Sequence, residues 1–425
     1  MLAEERLEES AARDSLRRIF DAAIDSAAPA PAVLANLPEK PAGRCVIIGA
    51  GKASAAMAAA IDSAWPDVQL SGVVSTRYGH AVPAGRINVI EAGHPVPDSD
   101  SEQAARQIID ALSELTADDL VIALISGGGS ATMALPIEPL SLEEKQCITR
   151  QLLSSGATIG EINTVREHLS LVKGGKLAEA AIPARLVTLL ISDVPGDNPA
   201  SVASGPTIPS GSTPTDALAI LDHYGIVVSP AVRQYLGSAD AMPSSIARGE
   251  HRIIASSAQA LNAASLTARD LGFSTVILGD SIEGESRELG RVMAEITKSE
   301  TTMGEPGHLP AVLLSGGETT VTIGSGDAGR GGRNMEFLLA LALELKGEPG
   351  VWALAGDSDG IDGTEDAAGA IVTPDTLARA AAAGIDPRDA LARHDSYTLF
   401  SAIGDLVFTG PTLTNVNDIR VVMVF

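Results

Sequence analysis

Glycine-rich turns with polar side chains recur along the chain, and two of them carry groups that could bind an anion. Lys52 lies in GAGKAS (49–54), and SGGGS (126–130) places two serines beside three glycines. Glycine lets a ligand approach the backbone closely, and free N–H groups at the start of a following helix attract an anion. The predicted ligands of a phosphate or carboxylate here are Lys52, Ser126, Gly127, Gly128, Gly129 and Ser130.

The GAGKAS segment fits two further site types only in part. A P-loop is excluded, because Val46 and Ala53 stand where glycine and Ser or Thr are required. A dinucleotide fingerprint needs Gly or Ala at Ser54 and an acidic residue about 20 positions later. The second apolar strand ends near Arg77 instead, and an arginine there could accept a 2′-phosphate. An NAD(P)H site therefore stays open beside a phosphate or carboxylate site centred on Lys52.

A cationic segment stands out in a chain with 30 basic and 54 acidic residues and a net charge of −24. In INTVREHLSLVKGGKLAEA (162–180), Asn163, Arg166, Lys173 and Lys176 would fall within roughly 140° of one helix face. The pair of glycines at 174–175 could end that helix. Arg166 and Lys176 are predicted to bind an anionic substrate, and a solvated charged face is the alternative.

Carboxylates follow two apolar strands, and an arginine precedes a predicted helix. Asp193 and Asp197 in SDVPGD suit a metal ion or a general base, and turn or helix-cap chemistry equally. Arg333 in GRGGRN lies beside a Gly-rich helix start, and arginine binds phosphate with two parallel hydrogen bonds. AGDSDGIDG (355–363) is interpreted as a nucleotide-facing or a structural turn.

Continuous apolar runs ending in Gly, Ser or Asp alternate with helical segments, which predicts parallel sheets with ligands at the carboxyl ends of the strands. Ser99 with Glu102, and Ser141 with Glu144, predict capping boxes. Cys45 and Cys147 are expected in the core.

The acidity argues against binding to nucleic acid or to anionic membranes. The charged N-terminus and the lack of ~18-residue apolar runs predict a cytoplasmic protein.

Ten motifs occur in one order: GAGKAS, EAGHPVPD, SGGGSA, INTVREHLSLVKGGKLA, SDVPGD, ASGPT, SGGET, GRGGRN, AGDSDGIDGTEDAAGA and TGPTLTNVND. Together they resemble the class II glycerate kinases over nearly the whole chain. The resemblance implies two α/β domains of different topology with the active site in the cleft between them. We expect a Rossmann-like, mostly parallel domain over 1–245. We expect a second α/β domain over 246–425, with a MOFRL region at about 310–420.

The resemblance also implies ATP-dependent phosphorylation of D-glycerate on its 2-hydroxyl. Lys52 and Arg333 would be catalytic, with Ser126–Ser130, Arg166 and Lys176 around the substrate. The resemblance places Asp193 near the reacting groups, and from residue type and position we expect it to be the base or to lie beside Mg²⁺, with Asp197 as a second metal ligand. The expected nucleotide ligands are Gly316, Gly317, Glu318, Asn334 and Asp357.

The expected partners are small molecules, with a homodimer also considered. Two other functions stay open. One is an NAD(P)H-dependent hydroxypyruvate reductase that would use Gly49–Ser54 and Arg77, and the other is a non-catalytic sensor of phosphorylated acids or sugars.

Overall fold

The structure, a computed structural model, describes residues 2–238, 249–303, 309–324 and 328–425. It divides into a parallel-sheet unit, Pro29–Ile254, and a mixed-sheet unit, Met1–Ala28 with Ala255–Phe425. The expected boundary at 245/246 lies outside the described residues. The N-terminal helix α1 (Leu2–Ser26) groups with the C-terminal part of the chain, unlike the expected 1–245 domain. The reason is that its apolar stripe, which includes Leu16 and Phe20, is buried against the mixed-sheet unit.

The parallel-sheet unit alternates strands and helices. Its described strands are β1 (Cys45–Ala50), β2 (Leu70–Arg77), β3 (Asn88–Ala92), β4 (Leu120–Ser126), β5 (Arg185–Ser192) and β6 (Glu250–Ser256), the last running into the second unit. Its described helices are α2 (Pro29–Leu34), α3 (Ser54–Ala64), α4 (Ser99–Ala111), α5 (Gly129–Thr132), α6 (Leu142–Ser154), α7 (Ile159–His168), α8 (Lys176–Ala180), α9 (Pro214–His223) and α10 (Pro230–Leu236). Two short 3-10 helices cover Pro195–Asp197 and Val202–Ser204.

The strand order β3-β2-β1-β4-β5-β6 creates a crevice at one place. From β1 the chain builds outward to β3, and it then returns to the other side of β1 to form β4. β1 pairs in parallel with both β2 and β4. Helices that follow β1 and β4 therefore diverge, and doubly wound sheets bind ligands at such a switch point. β1 and β4 are buried along their whole length, and the parallel pairing of the strands confirms the parallel sheet predicted from apolar runs.

The mixed-sheet unit has a different topology, as expected. After α11 (Ser257–Asp270), its described strands are β7 (Ser274–Gly279), β8 (Gly284–Glu285), β9 (Ala311–Gly317), β10 (Thr319–Thr320), β11 (Val351–Asp357), β12 (Gly369–Val372), β13 (Leu406–Val407) and β14 (Asp418–Val424). Its other described helices are α12 (Ser286–Met303), α13 (Arg333–Leu345), α14 (Thr376–Ala382), α15 (Pro387–Ala392) and α16 (Ser396–Ile403). The main sheet has the order β13-β12-β11-β14-β9-β7, and β14 runs antiparallel to both β9 and β11.

Local sequence signals place most helix ends. The Ser141–Glu144 capping box at α6 is confirmed, with both reciprocal hydrogen bonds at 3.1 Å. The prediction for α4 was wrong by one residue: Asp98 is the cap, because its carboxylate accepts the Ser101 N–H at 3.0 Å. Cys147 is exposed rather than in the core. No helix in the described ranges is long and apolar enough to cross a bilayer.

Candidate active site

The loops after β1 and β4 are tied together at the switch point. The Lys52 N–H donates to the Gly127 carbonyl at 2.9 Å, and the Ala53 N–H donates to Ser126 Oγ at 3.0 Å. Gly51 has φ +124°, and a Cβ there would collide with Ser126. Ser126 is fully buried, so its hydroxyl supports the Lys52 loop from below instead of lining the crevice.

Gly128 brings Lys52 next to a histidine that the sequence analysis left without a role. Gly128 has φ +80° and precedes α5. A Cβ on it would lie 3.1 Å from Cδ2 and 3.3 Å from Nε2 of His94, and 3.5 Å from Cγ of Lys52. The half-buried imidazole and the stem of the lysine therefore both pack around this one glycine. A side chain at this position would displace one of them.

A chain of hydroxyl and amide groups joins the SGGGS loop to α7. Ser130 Oγ lies 3.0 Å from Ser204 Oγ, and Ser204 Oγ donates to Asn163 Oδ1 at 3.0 Å. Ala203 and Ser204 have φ of +53° and +59°, which is unusual for residues with a Cβ. Such strained backbone persists where its surroundings enforce it and is common at functional sites. Here the turn places Ser204 between Ser130 and Asn163.

The predicted cationic face is not one helix. α7 ends at His168, Lys173 lies in the following turn, and Lys176 begins α8. The basic side chains gather all the same, because Lys176 binds carbonyls at and near the end of α7 and Lys173 binds the Met133 carbonyl just after α5. Lys176 Nζ donates to the Glu167 carbonyl at 3.3 Å and to that of Ser170, and Lys173 Nζ donates to Met133 at 2.8 Å. Lys145, which the sequence analysis missed, donates to the Leu169 carbonyl at 2.8 Å. Cations at a helix C-terminus also interact favourably with its dipole.

Burial lowers the pKa of every cation in this group. Burial, reinforced by the charges of Arg166 and Lys176, lowers the pKa of Lys145 to about 7. Burial and the neighbouring cations hold the pKa of Lys173 well below its ordinary value, and burial lowers that of Arg166. Arg166 forms no hydrogen bond or ion pair with any other described residue, although it is half-buried. A desolvated guanidinium among three lysines is suited to binding an anion.

Asp193 and Asp197 stand at the carboxyl end of β5, beside β4 in the sheet. Both are half-buried, and Asp197 has φ +52° in a tight turn closed by its N–H to the Val194 carbonyl at 3.1 Å. Within the described part of the chain, no group of three or more His, Cys, Asp or Glu side chains is arranged to hold a metal ion. Phosphate-bound Mg²⁺ takes only one or two carboxylates from the protein, so these two fit that donor set.

In the mixed-sheet unit, Arg333 is held by three carboxylates. Its Nε lies 2.9 and 3.0 Å from the two oxygens of Asp418, Nη2 lies 2.9 Å from Asp357, and Nη1 lies 2.5 Å from Glu318. The sheet register explains this, because Asp357 and Gly317 each pair with Asp418 across adjacent strands. Burial alone would lower the pKa of Arg333, but these carboxylates raise it above its ordinary value.

The start of α13 is closed by a carboxylate from the acidic loop. Asp362 is fully buried and accepts the N–H groups of Asn334 and Met335 at 3.1 and 2.9 Å. These helix N-terminal groups are therefore occupied and do not face an incoming phosphate. Asn334 itself donates to Asp418 at 2.8 Å. At least one carboxylate of the acidic segment thus has a structural role.

Two of the predicted nucleotide ligands, Gly316 and Gly317, are the last residues of β9. A Cβ on Gly317 would collide with the backbone of Ile282, and one on Gly316 would lie 2.5 Å from Ser257 Oγ. Close packing accounts for both glycines without a ligand. Glu318, Asn334 and Asp357, in contrast, do gather around Arg333 or its partner Asp418.

His94, Lys145 and Asp418 are the residues that the sequence analysis left without a role. His94 and Asp418 lie in quoted motifs, EAGHPVPD and TGPTLTNVND, which was a usable signal. Lys145 carried none, because one lysine on an amphipathic helix is ordinarily solvated.

Comparison with known proteins decides the family. Residues 15–237 match the model described as "Domain of unknown function (DUF4147)", and residues 311–418 match the MOFRL family. The chain is 40% identical to the D-glycerate 2-kinase of Thermotoga maritima, covering 94% of this chain and 95% of that protein. The chain belongs to the glycerate 2-kinase family with a C-terminal MOFRL domain.

Other similar proteins also match this chain over nearly its whole length. The human glycerate kinase is 35% identical over 95% of this chain and 92% of its own length. The crystal structure of the Thermotoga maritima glycerate kinase superposes with a TM-score of 0.89 at 39% identity, covering 98% of this chain and all of that one. A protein of Agrobacterium vitis named putative hydroxypyruvate reductase is 59% identical over 97% of this chain and 94% of its own length.

Proposed function

We propose that this chain transfers the γ-phosphoryl group of ATP to the 2-hydroxyl of D-glycerate. The observation that carries the proposal is the placement of Lys52 at the switch point of the parallel sheet, tied to the SGGGS loop through Gly127. Phosphoryl transfer depends on positioning and charge neutralisation, and a lysine fixed there supplies both. The kinase names of relatives at 35–41% identity support the same reaction.

The acceptor is proposed to bind in the parallel-sheet unit. D-glycerate is a small anion with two hydroxyls, so it needs one cation for its carboxylate and a few polar groups for its hydroxyls. Arg166 offers a guanidinium without a described partner for the carboxylate. The hydrogen-bonded groups of Ser130, Ser204 and Asn163 could bind the hydroxyls, and Asn163 lies on α7 with Arg166. Asn163 and Arg166, three residues apart, share one face of that helix.

The nucleotide is proposed to bind near Arg333. A guanidinium has five N–H groups. The contacts within the described residues use Nε and one hydrogen on each terminal nitrogen, leaving one N–H on Nη1 and one on Nη2 for phosphate oxygens. Because the three carboxylates outweigh the charges of Arg333 and of Arg420, which pairs with Asp418, free ATP would be repelled, and the proposal requires the magnesium complex. Mg²⁺ would neutralise phosphate charge, and Asp193 and Asp197 are its proposed protein ligands.

The reductase remains the second candidate, for two specific reasons. The strand order 3-2-1-4-5-6 is the one found in dinucleotide-binding sheets, and Arg77 ends β2, where the ribose-binding residue of that fold stands. Proteins named putative hydroxypyruvate reductase are also 57% and 59% identical to this chain. The third position of the dinucleotide fingerprint, which requires Gly or Ala, is Ser54 here, and this departure speaks against the reductase. Ser54 is buried, and its hydroxyl donates to the Gly51 and Ser75 carbonyls at 2.8 and 2.5 Å.

One assay separates the two candidates. The chain is incubated with D-glycerate, ATP and Mg²⁺, and enolase alone converts any 2-phosphoglycerate to phosphoenolpyruvate, which is followed by its ultraviolet absorbance. A signal without phosphoglycerate mutase supports the proposal, and a signal only with mutase means that the 3-hydroxyl is the acceptor. No signal, together with NADPH consumption on hydroxypyruvate, replaces the kinase by the reductase.

Lys52→Met tests the residue on which the proposal rests. We expect turnover to fall on the order of 10³-fold, as when a charge clamp on the transferring group is removed. Lys40→Met is the matched control, because Lys40 is exposed and pairs only with Asp67 at 2.7 Å among the described side chains. Equal activity in the two variants would remove Lys52 from the mechanism.

A further inference from the structure

The histidine at the switch point has a position that the proposed function does not use. His94 follows β3, two strands away from β1 in the sheet, yet its ring reaches Gly128 at the end of β4. There it packs against the same glycine as Lys52. A Cβ added to Gly128 would lie 3.3 Å from Nε2 of His94 and 3.5 Å from Cγ of Lys52. The two side chains therefore lie next to the same glycine.

The segment that carries His94 is built to hold this position. A Cβ on Gly93 would lie 2.6 Å from the Val96 carbonyl and 2.9 Å from Asp98 Oδ2, so the turn is closed on itself. Asp98 caps α4 through Ser101, and the Tyr78 hydroxyl donates to Asp98 at 2.8 Å. His94 therefore lies in a closed turn that leads directly into the capped start of α4.

We propose that His94 is the general base of the phosphoryl transfer, in place of the Asp193 suggested by the sequence. The inference rests on the proposed function. Asp193 is already assigned to Mg²⁺ in the proposed function, whereas the His94 ring and Lys52 both pack against Gly128 of the SGGGS loop. Imidazole is also the side chain whose ordinary pKa suits proton transfer near neutral pH.

The step balances as follows. A ring nitrogen of neutral His94 accepts the proton of the acceptor hydroxyl as that oxygen forms its bond to the γ-phosphorus. The bond from the γ-phosphorus to the β,γ-bridging oxygen breaks, and the electron pair leaves with ADP. His94 then returns its proton to solvent. Lys52, beside it, stabilises the transferring group.

The test compares His94→Ala, His94→Gln and wild type in the glycerate, ATP and Mg²⁺ assay. His94→Ala should lose about 10²- to 10⁴-fold in kcat, the usual contribution of a general base, with KM for ATP little changed. Added imidazole should restore part of the kcat of His94→Ala in proportion to its concentration. His94→Gln keeps a polar group of similar size but accepts no proton, so it should stay slow.

His251→Ala is the matched control, since His251 is exposed on β6 of the same sheet. It should keep wild-type kcat and show no response to imidazole. Circular dichroism and thermal unfolding confirm that each variant is folded, and His94→Gln keeps the test informative should the alanine variant unfold.

Three outcomes would overturn the inference: full activity of His94→Ala, recovery of kcat in His94→Gln with only KM for glycerate raised, or folded His94→Ala that imidazole does not rescue. All three leave the kinase proposal standing. A wild-type protein that fails to phosphorylate glycerate would instead remove the proposed function itself.

Discussion

Asp418 holds Arg333 from within the sheet: both oxygens of its fully buried carboxylate lie within 3.0 Å of the arginine Nε. The same carboxylate accepts from Asn334 and from Arg420, which is also fully buried, at 2.8 and 2.9 Å. One side chain therefore fixes the predicted catalytic arginine and neutralises a second arginine beneath it. The orientation of Arg333 is set before any ligand arrives.

Asp418→Asn should therefore reduce both stability and turnover. Loss of the charge leaves Arg420 buried without its counter-ion, which costs about 3–5 kcal/mol in comparable buried pairs. A loosened Arg333 should lower kcat about 10²-fold in the protein that remains folded. Urea unfolding and the glycerate kinase assay at a temperature well below the transition measure the two effects separately.

Asp405→Asn provides the matched control for Asp418. Asp405 is equally buried and holds Arg379 and Arg13, with its Oδ1 3.1 and 2.9 Å from their guanidinium nitrogens, but away from Arg333. This variant should lose less stability, because the side chains of Arg13 and Arg379 are 25% and 28% exposed, and it should keep its kcat. If both variants lost kcat to the same degree, general destabilisation would explain the result and Asp418 would have no particular role.

Gly128→Ala should impair activity beyond its effect on the backbone. An alanine at φ +80° costs on the order of 1 kcal/mol, and its Cβ would press against His94 and Lys52. Gly156→Ala is a matched control, because Gly156 has the same φ of +80° and no atom within 4 Å of an added Cβ. We expect similar losses of unfolding free energy and a fall in kcat only for Gly128→Ala. A fall of the same size in Gly156→Ala would contradict this.

Much of the parallel-sheet unit could be predicted because its signals are local. The apolar runs that became β1, β4 and β5 are buried on both faces, and their glycine-rich ends meet because parallel strands end at one edge of the sheet. That reasoning was enough to bring Lys52 and the SGGGS loop together. The same reasoning also predicted that Ser126 binds the ligand, because a sequence does not show which serine of the SGGGS loop is buried beneath that loop.

The remaining features depend on long-range pairing that local sequence patterns do not encode. Asp418 reaches Arg333 only through the antiparallel register of β14 with β9 and β11. The apolar face of α1 packs on the C-terminal unit, and the periodicity of a helix does not reveal which part of the chain covers its apolar face. The helical projection of Arg166, Lys173 and Lys176 failed because α7 ends at His168, before Lys173 and before the glycine pair 174–175. The lysines still gather, because they donate to carbonyls around the end of α7 and to that of Met133.

Lys145 should make stability depend on pH above neutrality. Its pKa of about 7 in the folded chain lies below the ordinary 10.5, so between these values the unfolded chain binds more protons. The unfolding free energy must then rise with pH across this window. Relative to Lys145→Met, wild type should gain up to about 2–3 kcal/mol between pH 7 and pH 9, at 1.36 kcal/mol per unit.

Urea unfolding of both proteins at the two pH values measures this difference. Lys40→Met serves as the exposed control and should show the same pH dependence as wild type. A constant difference between wild type and Lys145→Met would mean that Lys145 stays charged in the folded chain up to pH 9. The burial of Lys145 and the charges of Arg166 and Lys176 would then lower its pKa too little to discharge it.

Asp362 should act in the opposite direction at acid pH. Burial, assisted by the charge of Asp418, raises its pKa from 3.8 to about 6 against the lowering effect of the N–H groups of Met335 and Asn334. Between these two values the folded chain binds more protons than the unfolded chain, so this group's contribution is full below pH 3.8 and is lost as pH rises through 6. Relative to Asp362→Asn, wild type should lose about 3 kcal/mol of unfolding free energy between pH 3.8 and pH 7.

The control is Asp270→Asn, at an exposed aspartate of the same unit, which should show the same pH dependence as wild type in parallel urea titrations. If wild type instead gained stability over Asp362→Asn across this range, the carboxylate would be ionised throughout, and its bonds to the start of α13 would outweigh its burial.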